Sequence, residues 1–249
     1  MTDLITSSAP ADADFLSVRF DLCSQQEWRD LLFRPAGERF DYVVTPNVDH
    51  IVRLAREPEI RPVYDAARWH ICDSRILQKL ARRRGLDLQV YPGSDMVADL
   101  LHDRAAKRLR IQAIGPSAED FAKLTALYPD LDLVRVEAPF MRQGSPEWRA
   151  TLEAVEAVPA DIYLFCLSFP KQEFFAADLK ARGIARGTGF CVGASLDFLT
   201  GHQTRAPQWM RQAGLEWAHR LLSNPRRLWK RYLIDAPKIF ALYMADKRR

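Results

Sequence analysis

The stretch Ile162-Tyr163-Leu164-Phe165-Cys166-Leu167, followed at once by Ser168-Phe169-Pro170-Lys171-Gln172-Glu173, carries the pattern that decides the fold. Its first half is an unbroken apolar run with the length of a strand that is buried on both faces. Its second half is typical of a helix start, with proline in the first turn and a carboxylate early in the helix. A buried strand leading through a short polar turn into a helix is the repeating unit of a parallel α/β sheet.

The same alternation of apolar runs and amphipathic stretches continues outward along most of the chain. It predicts an α/β fold with a mainly parallel sheet sandwiched by helices in the Rossmann-like manner, followed by a basic helical appendage. The predicted strands are 15–20, 40–45, 69–72, 109–114, 131–136, 162–167 and 189–192. The predicted helices are 25–32, 48–56, 75–84, 94–104, 118–128, 146–157 and 172–182.

The charge is distributed unevenly between two parts of the chain. Residues 203–249, the C-terminal appendage, hold 11 of the 36 Lys and Arg but 3 of the 32 Asp and Glu, and residues 1–202 are mildly acidic. We therefore divide the chain into an α/β domain, 1–202, and this appendage. Its cations alternate with aromatic residues, a composition that suits an anionic membrane surface better than nucleic acid. We expect Trp209 and Trp217 to pack on the domain, the apolar residues after Leu228 to contact the membrane, and Pro237 to break or kink a helix.

Several classes of protein are excluded or disfavoured by what the sequence lacks. No G-x-G-x-x-G follows the first strand and no G-x-x-x-x-G-K-[ST] occurs, which disfavours dinucleotide enzymes and P-loop NTPases. The four cysteines form no C-x-x-C pair, so buried free thiols are expected, and the five histidines show no metal-ligand spacing. No apolar run approaches the roughly 18 residues of a membrane-spanning helix, and the N-terminus lacks a secretory signal pattern, so a cytoplasmic location is expected.

Polar residues follow several predicted strands, where ligands of open parallel sheets bind. Asp73 could serve as a general base or cap a helix, and Asn47 could bind a sugar or phosphate oxygen or cap the next helix. Asp197 could accept from ribose hydroxyls or cap a turn, while the turn at Gln172, taken alone, is better explained as structural. If the chain transfers a sugar, arginines of the appendage could stabilise the departing diphosphate.

Taken together, the motifs of this chain resemble those of the WecG/TagA/CpsF glycosyltransferases over most of its length. The strings that carry the resemblance are Thr45-Pro46-Asn47, Ile71-Cys72-Asp73, Pro92-Gly93-Ser94-Asp95, Ser168 through Glu173, Val192 through Gly201, Arg205-Ala206-Pro207, Leu215-Glu216-Trp217 and Pro225-Arg226-Arg227. The resemblance implies an inverting, metal-independent enzyme without a cofactor. It would transfer a sugar from a UDP-sugar to a polyprenyl-diphosphate-linked sugar during synthesis of exopolysaccharide, capsule or a related surface polysaccharide.

The resemblance also implies roles for individual residues and a location. Asp73 matches the catalytic base, and the substrate-binding positions are Thr45, Asn47, Gln172, Asp197, Arg220, Arg226, Arg227 and Arg231. The domain would bind the nucleotide sugar, and the appendage would complete the site and contact the cytoplasmic face of the cell membrane. A chain ending near Gly201 should therefore lose transfer even to a soluble acceptor.

The chain departs from the family pattern at several positions in or near these motifs. Ser74, Val90 and Phe169 stand where the family usually has Gly, Arg and Gly, respectively. Phe169 would bring bulk near the donor sugar if its ring points into the cleft.

The alternative to an enzyme is a second class of protein, a non-catalytic basic module that binds anionic lipid or nucleic acid. Self-association is compatible with an appendage that exposes apolar surface.

Overall fold

The computed structural model describes residues 11–246, which form a six-stranded, all-parallel sheet covered by helices on both faces. The strands are β1 (Asp12–Phe15), β2 (Val18–Asp21), β3 (Phe40–Val44), β4 (Trp69–His70), β5 (Arg110–Ile114), β6 (Asp132–Val136), β7 (Ile162–Phe165) and β8 (Gly187–Cys191). The strand order is β4-β3-β8-β7-β5-β6, and a separate two-stranded sheet pairs β1 with β2. The predicted α/β, Rossmann-like fold with a helical appendage is confirmed.

The seven predicted helices are all present, with boundaries within two residues of those expected. Serine or asparagine side chains cap five of the seven. Within residues 11–246 the helices are α1 (Gln25–Leu32), α2 (Val48–Arg56), α3 (Arg61–Asp65), α4 (Arg75–Arg82), α5 (Gly93–His102), α6 (Ala118–Leu127), α7 (Pro146–Ala157), α8 (Lys171–Arg182), α9 (Ser195–Leu199), α10 (Gln208–Ala213), α11 (Glu216–Ser223), α12 (Pro225–Trp229) and α13 (Lys238–Ala245). Short 3-10 helices span Pro58–Ile60 and Arg104–Arg108, and a π-helix spans Lys230–Asp235.

The prediction of a single strand at 15–20 is wrong. This stretch is a hairpin in which β1 and β2 run antiparallel and turn at Leu16 and Ser17, both in the left-handed region with φ of 54° and 59°. Such a turn normally carries glycine or asparagine. Leu16 adopts this left-handed conformation although it is not a typical turn residue. Its side chain is buried in the core.

The core lies on both faces of the sheet because neighbouring residues of each strand point to opposite sides. On β3, Tyr42 and Val44 pack on one face with α2, α4, α7, α8 and α13. Val43 packs on the other face with α1, α5, α6 and α9. All four cysteines are free, and Cys23, Cys72 and Cys191 are buried, as expected.

The appendage contacts the domain unevenly along its length. Helices α10, α11 and α12 contain no buried residue, whereas Ile239 of α13 is 1% exposed and belongs to the core. Arg84 of the domain donates to the carbonyl of Tyr243 and forms an ion pair with Asp246. The expected break at Pro237 is confirmed, since the π-helix ends before it and α13 begins after it.

The expectation that Trp209 packs on the domain is wrong, because this side chain is 63% exposed. Trp217 is half-buried beside Tyr232, with ring centroids 6.1 Å apart. Among the described residues, no helix combines the length and apolar character required to cross a bilayer.

Candidate active site

A cleft of about 1500 Å³ lies at the carboxyl ends of the central strands, between the sheet edge and the appendage. Small-molecule sites are usually roughly 300–1,000 Å³, so this cleft has room for two substrates. Arg226 is exposed and does not line it. The other eight residues that the resemblance implied do line it, namely Thr45, Asn47, Asp73, Gln172, Asp197, Arg220, Arg227 and Arg231.

Asp73 lies just beyond β4, in the cleft. Its backbone N–H donates to the Pro46 carbonyl at 2.9 Å, and its carboxylate accepts from the Gly93 N–H at the start of α5. Ser74, not Asp73, caps α4, because its hydroxyl accepts from the Leu77 N–H at 3.3 Å. The helix-cap interpretation of Asp73 is therefore wrong, and its carboxylate is not used to start α4.

The environment of Asp73 favours its protonated form more than water does. Burial is the largest cause that raises the pKa of its carboxyl to about 7; the nearby Glu216 carboxylate acts in the same direction, while Arg220 opposes both effects. Glu216 and Arg220 belong to α11, so the appendage contributes to the acidity of a group on the domain. A carboxylate with a pKa near neutrality is well matched to general-base chemistry.

Asn47 and Thr45 occupy the turn between β3 and α2. The Asn47 side-chain oxygen accepts from the His50 N–H at 3.2 Å and so caps α2. The amide nitrogen of Asn47 and the second lone pair of its oxygen could still contact a ligand. The Thr45 hydroxyl donates to the Cys191 carbonyl at 3.0 Å, which joins the end of β3 to the end of β8.

Gln172 connects two parts of the cleft through both ends of its amide. Its oxygen accepts from the Gly193 N–H at 2.9 Å, and its nitrogen donates to the Glu173 carboxyl at 2.9 Å. Glu173 is fully buried, and burial raises its pKa to about 7. Sequence reasoning treated Glu173 only as an early acid in α8. No local signal shows that its side chain points inward beneath Gln172.

Phe169 lines the cleft, but its ring also lies against the domain. The ring stacks on His50 with centroids 3.9 Å apart, and the Arg53 guanidinium lies 4.8 Å from its centre. Val90 also lines the cleft and forms a parallel β-bridge with Cys72. Two of the three departures from the family pattern, Val90 and Phe169, therefore form apolar walls of the cleft.

Asp197 and three arginines of the appendage line the same cleft. Asp197, in α9, accepts from the Gln203 side chain at 2.7 Å, and burial raises its pKa. The Arg220 guanidinium lies 5.0 Å from the ring centre of the neighbouring Phe198. Arg231 reaches the opposite side of the cleft, where its Nε lies 3.3 Å from Asp49 of α2.

The two D-x-D strings of the sequence, a motif that can bind a divalent cation, lie outside the cleft. The strings Asp12-Ala13-Asp14 and Asp130-Leu131-Asp132 lie in β1 and at the start of β6, and neither lines the cleft. Across residues 11–246, no three His, Cys, Asp or Glu side chains are grouped as a metal site would require.

The family model described as glycosyl transferase WecG/TagA/CpsF matches residues 13–249, nearly the whole chain. The protein belongs to this family. It is accordingly a glycosyltransferase of cell-surface polysaccharide synthesis, and the cleft on its α/β domain is the candidate active site.

Proposed function

We propose that this enzyme transfers a sugar from a UDP-sugar to a polyprenyl-diphosphate-linked sugar, with inversion and without a metal, in exopolysaccharide, capsule or related synthesis. Residues 1–202 bind the nucleotide sugar, and residues 203–249 complete the site. The observation that carries the proposal is the position of Asp73. Its carboxyl, with a pKa near 7, lies in a cleft large enough for two substrates and faces arginines of the appendage.

The reaction follows from these groups. Asp73 accepts the proton of the acceptor hydroxyl while that oxygen attacks the anomeric carbon of the donor sugar. The bond from this carbon to the diphosphate oxygen breaks, and UDP leaves with the bonding electrons. A single displacement from the opposite side inverts the anomeric centre. Guanidinium groups of Arg220, Arg227 and Arg231 offset the charge that develops on the diphosphate.

The appendage supports a location on the cytoplasmic face of the cell membrane. Ile239 belongs to the core, but neighbouring apolar side chains are exposed beside Lys and Arg residues, namely Trp229, Leu233, Ile234, Phe240 and Met244. Each cation near an anionic leaflet contributes about 1 kcal/mol, so several suffice for reversible docking. The same exposed surface would favour a homo-oligomer away from a membrane.

Ligand binding separates this proposal from a non-catalytic binding module. We expect UDP at sub-millimolar concentration to raise the melting temperature of the protein, because a ligand that binds the folded state stabilises it. DNA and RNA should leave the melting temperature unchanged. Thermal denaturation with each ligand, in EDTA, makes the comparison. Stabilisation by nucleic acid without stabilisation by UDP would favour the module.

The pH dependence of turnover should respond to Glu216. Asp73 must be deprotonated to accept a proton, so kcat/KM should fall as the pH decreases through about 7. Glu216 raises the pKa of Asp73, so Glu216→Gln should lower that pKa and shift the acidic limb of the profile to lower pH. The exposed Glu119 provides the control variant Glu119→Gln. An unshifted midpoint in Glu216→Gln would disprove the coupling.

A further inference from the structure

Two arginines near the start of the appendage converge on one carboxylate in the cleft. Arg205 Nη2 pairs with Asp95 Oδ1 and donates to the Ser94 hydroxyl at 3.0 Å. Arg211 Nη1 lies 3.7 Å from the same oxygen of Asp95. The side chains of Arg205, Arg211 and Asp95 are 25%, 29% and 32% exposed. Because one carboxylate faces two guanidinium groups, the cluster carries an excess positive charge.

The hydrogen-bonding capacity of this cluster is only partly used. The Nε atoms of Arg205 and Arg211 are shielded from solvent and have no hydrogen-bond partner among residues 11–246. A shielded donor without a partner is unfavourable, and more so on a charged group. Two planar guanidinium groups with spare donors match an anion that has several oxygens, such as a diphosphate.

The cluster lies on the helix that packs beside the helix of Asp197. Asp95 belongs to α5, which packs against α9, the helix that carries Asp197. Gly93 of the same helix start donates its N–H to Asp73. Arg231, in contrast, pairs with Asp49 of α2, which covers the other face of the sheet. Arg205 and Arg211 therefore pair with the helix that both donates to the candidate base and packs against the helix of Asp197.

We propose that Arg205 and Arg211 form the subsite for the diphosphate of the nucleotide donor, and that Asp95 pairs with both guanidinium groups until the diphosphate replaces it. This subsite rests on the proposed function. It assigns the diphosphate to two arginines in addition to Arg220, Arg227 and Arg231. It also gives Asp95 the role of an internal competitor for the nucleotide.

The test compares the binding of UDP and of uridine by calorimetry to the full-length protein and its Arg205→Gln and Arg211→Gln variants. The unmodified protein should bind UDP more tightly than uridine. Each substitution should weaken UDP binding by about 10-fold or more, as for loss of a charge-assisted hydrogen bond, and leave uridine binding within about two-fold. Lys230→Gln, which removes one charge of the appendage outside the cleft, should change neither affinity.

A second variant gives an expected gain. Asp95→Asn should tighten UDP binding by about 10-fold with little change for uridine, because one competing ion pair at each arginine is removed. A misfolded protein cannot produce this result.

Three results would overturn the subsite alone. These are unchanged UDP affinity in both arginine variants, an equal loss of uridine affinity, and weaker or unchanged UDP binding by Asp95→Asn. If the unmodified protein binds neither UDP nor uridine, the proposed donor fails together with the subsite.

Discussion

Replacing Asp73 with asparagine should reduce kcat by about 10²–10⁴-fold, the range expected when a general base is lost. Asparagine preserves the size of the side chain and still accepts the Gly93 N–H, but it cannot take the proton of the acceptor hydroxyl. UDP affinity should stay within about two-fold, because base catalysis acts mainly in the transition state. The acidic limb of the pH profile near 7 should disappear from the residual activity.

The measurement is a single-turnover transfer assay over a range of pH, combined with UDP binding to the same preparations. Asp65→Asn is the control, since Asp65 is an exposed carboxylate outside the cleft. Turnover by Asp73→Asn within about tenfold of the unmodified enzyme would remove Asp73 from the mechanism.

The triple variant Arg220→Gln, Arg227→Gln, Arg231→Gln should lose at least about 10³-fold in kcat/KM. Removing one donor that stabilises a developing anion typically costs about 10²–10³-fold, and effects of neighbouring groups are not additive. The triple variant tests the role of the arginines more specifically than a chain that ends near Gly201. Truncation also removes Ile239 from the core, so lost activity could reflect lost packing.

A soluble acceptor separates this loss from membrane docking, and the thermal midpoint of the variant reports whether the appendage keeps its packing. Lys230→Gln removes a cation from the same segment but outside the cleft, and should retain transfer to that acceptor. Activity of the triple variant within tenfold of the unmodified enzyme would show that other groups stabilise the leaving diphosphate.

The sequence predicts the fold correctly where a residue pattern is compatible with a single kind of structure. The apolar run at Ile162–Phe165 became a central strand, since a strand covered on both faces needs apolar residues throughout. Asp73 was placed at the carboxyl end of the sheet for the same topological reason. The hairpin at Leu16 was missed because its turn lacks the residues that usually mark one.

The direction of individual side chains and the electrostatic effects of distant residues could not be predicted from the sequence. Arg226 and Arg227 are adjacent in one string, yet only Arg227 lines the cleft, because successive helical residues point about 100° apart. The pKa of Asp73 depends on Gly93, Glu216 and Arg220, which come near it only after folding. Ser74, a departure from the family pattern, turned out to supply the cap of α4.

The buried side chains of the appendage lie near its two ends. Ala206 is buried at its beginning and Ile239 near its end, while the three helices between them have no buried residue. Between these ends, contacts to the domain include the ion pairs of Arg211 with Asp95 and of Arg231 with Asp49. Entry of the proposed polyprenyl-linked acceptor from the side of the appendage would leave both buried contacts in place.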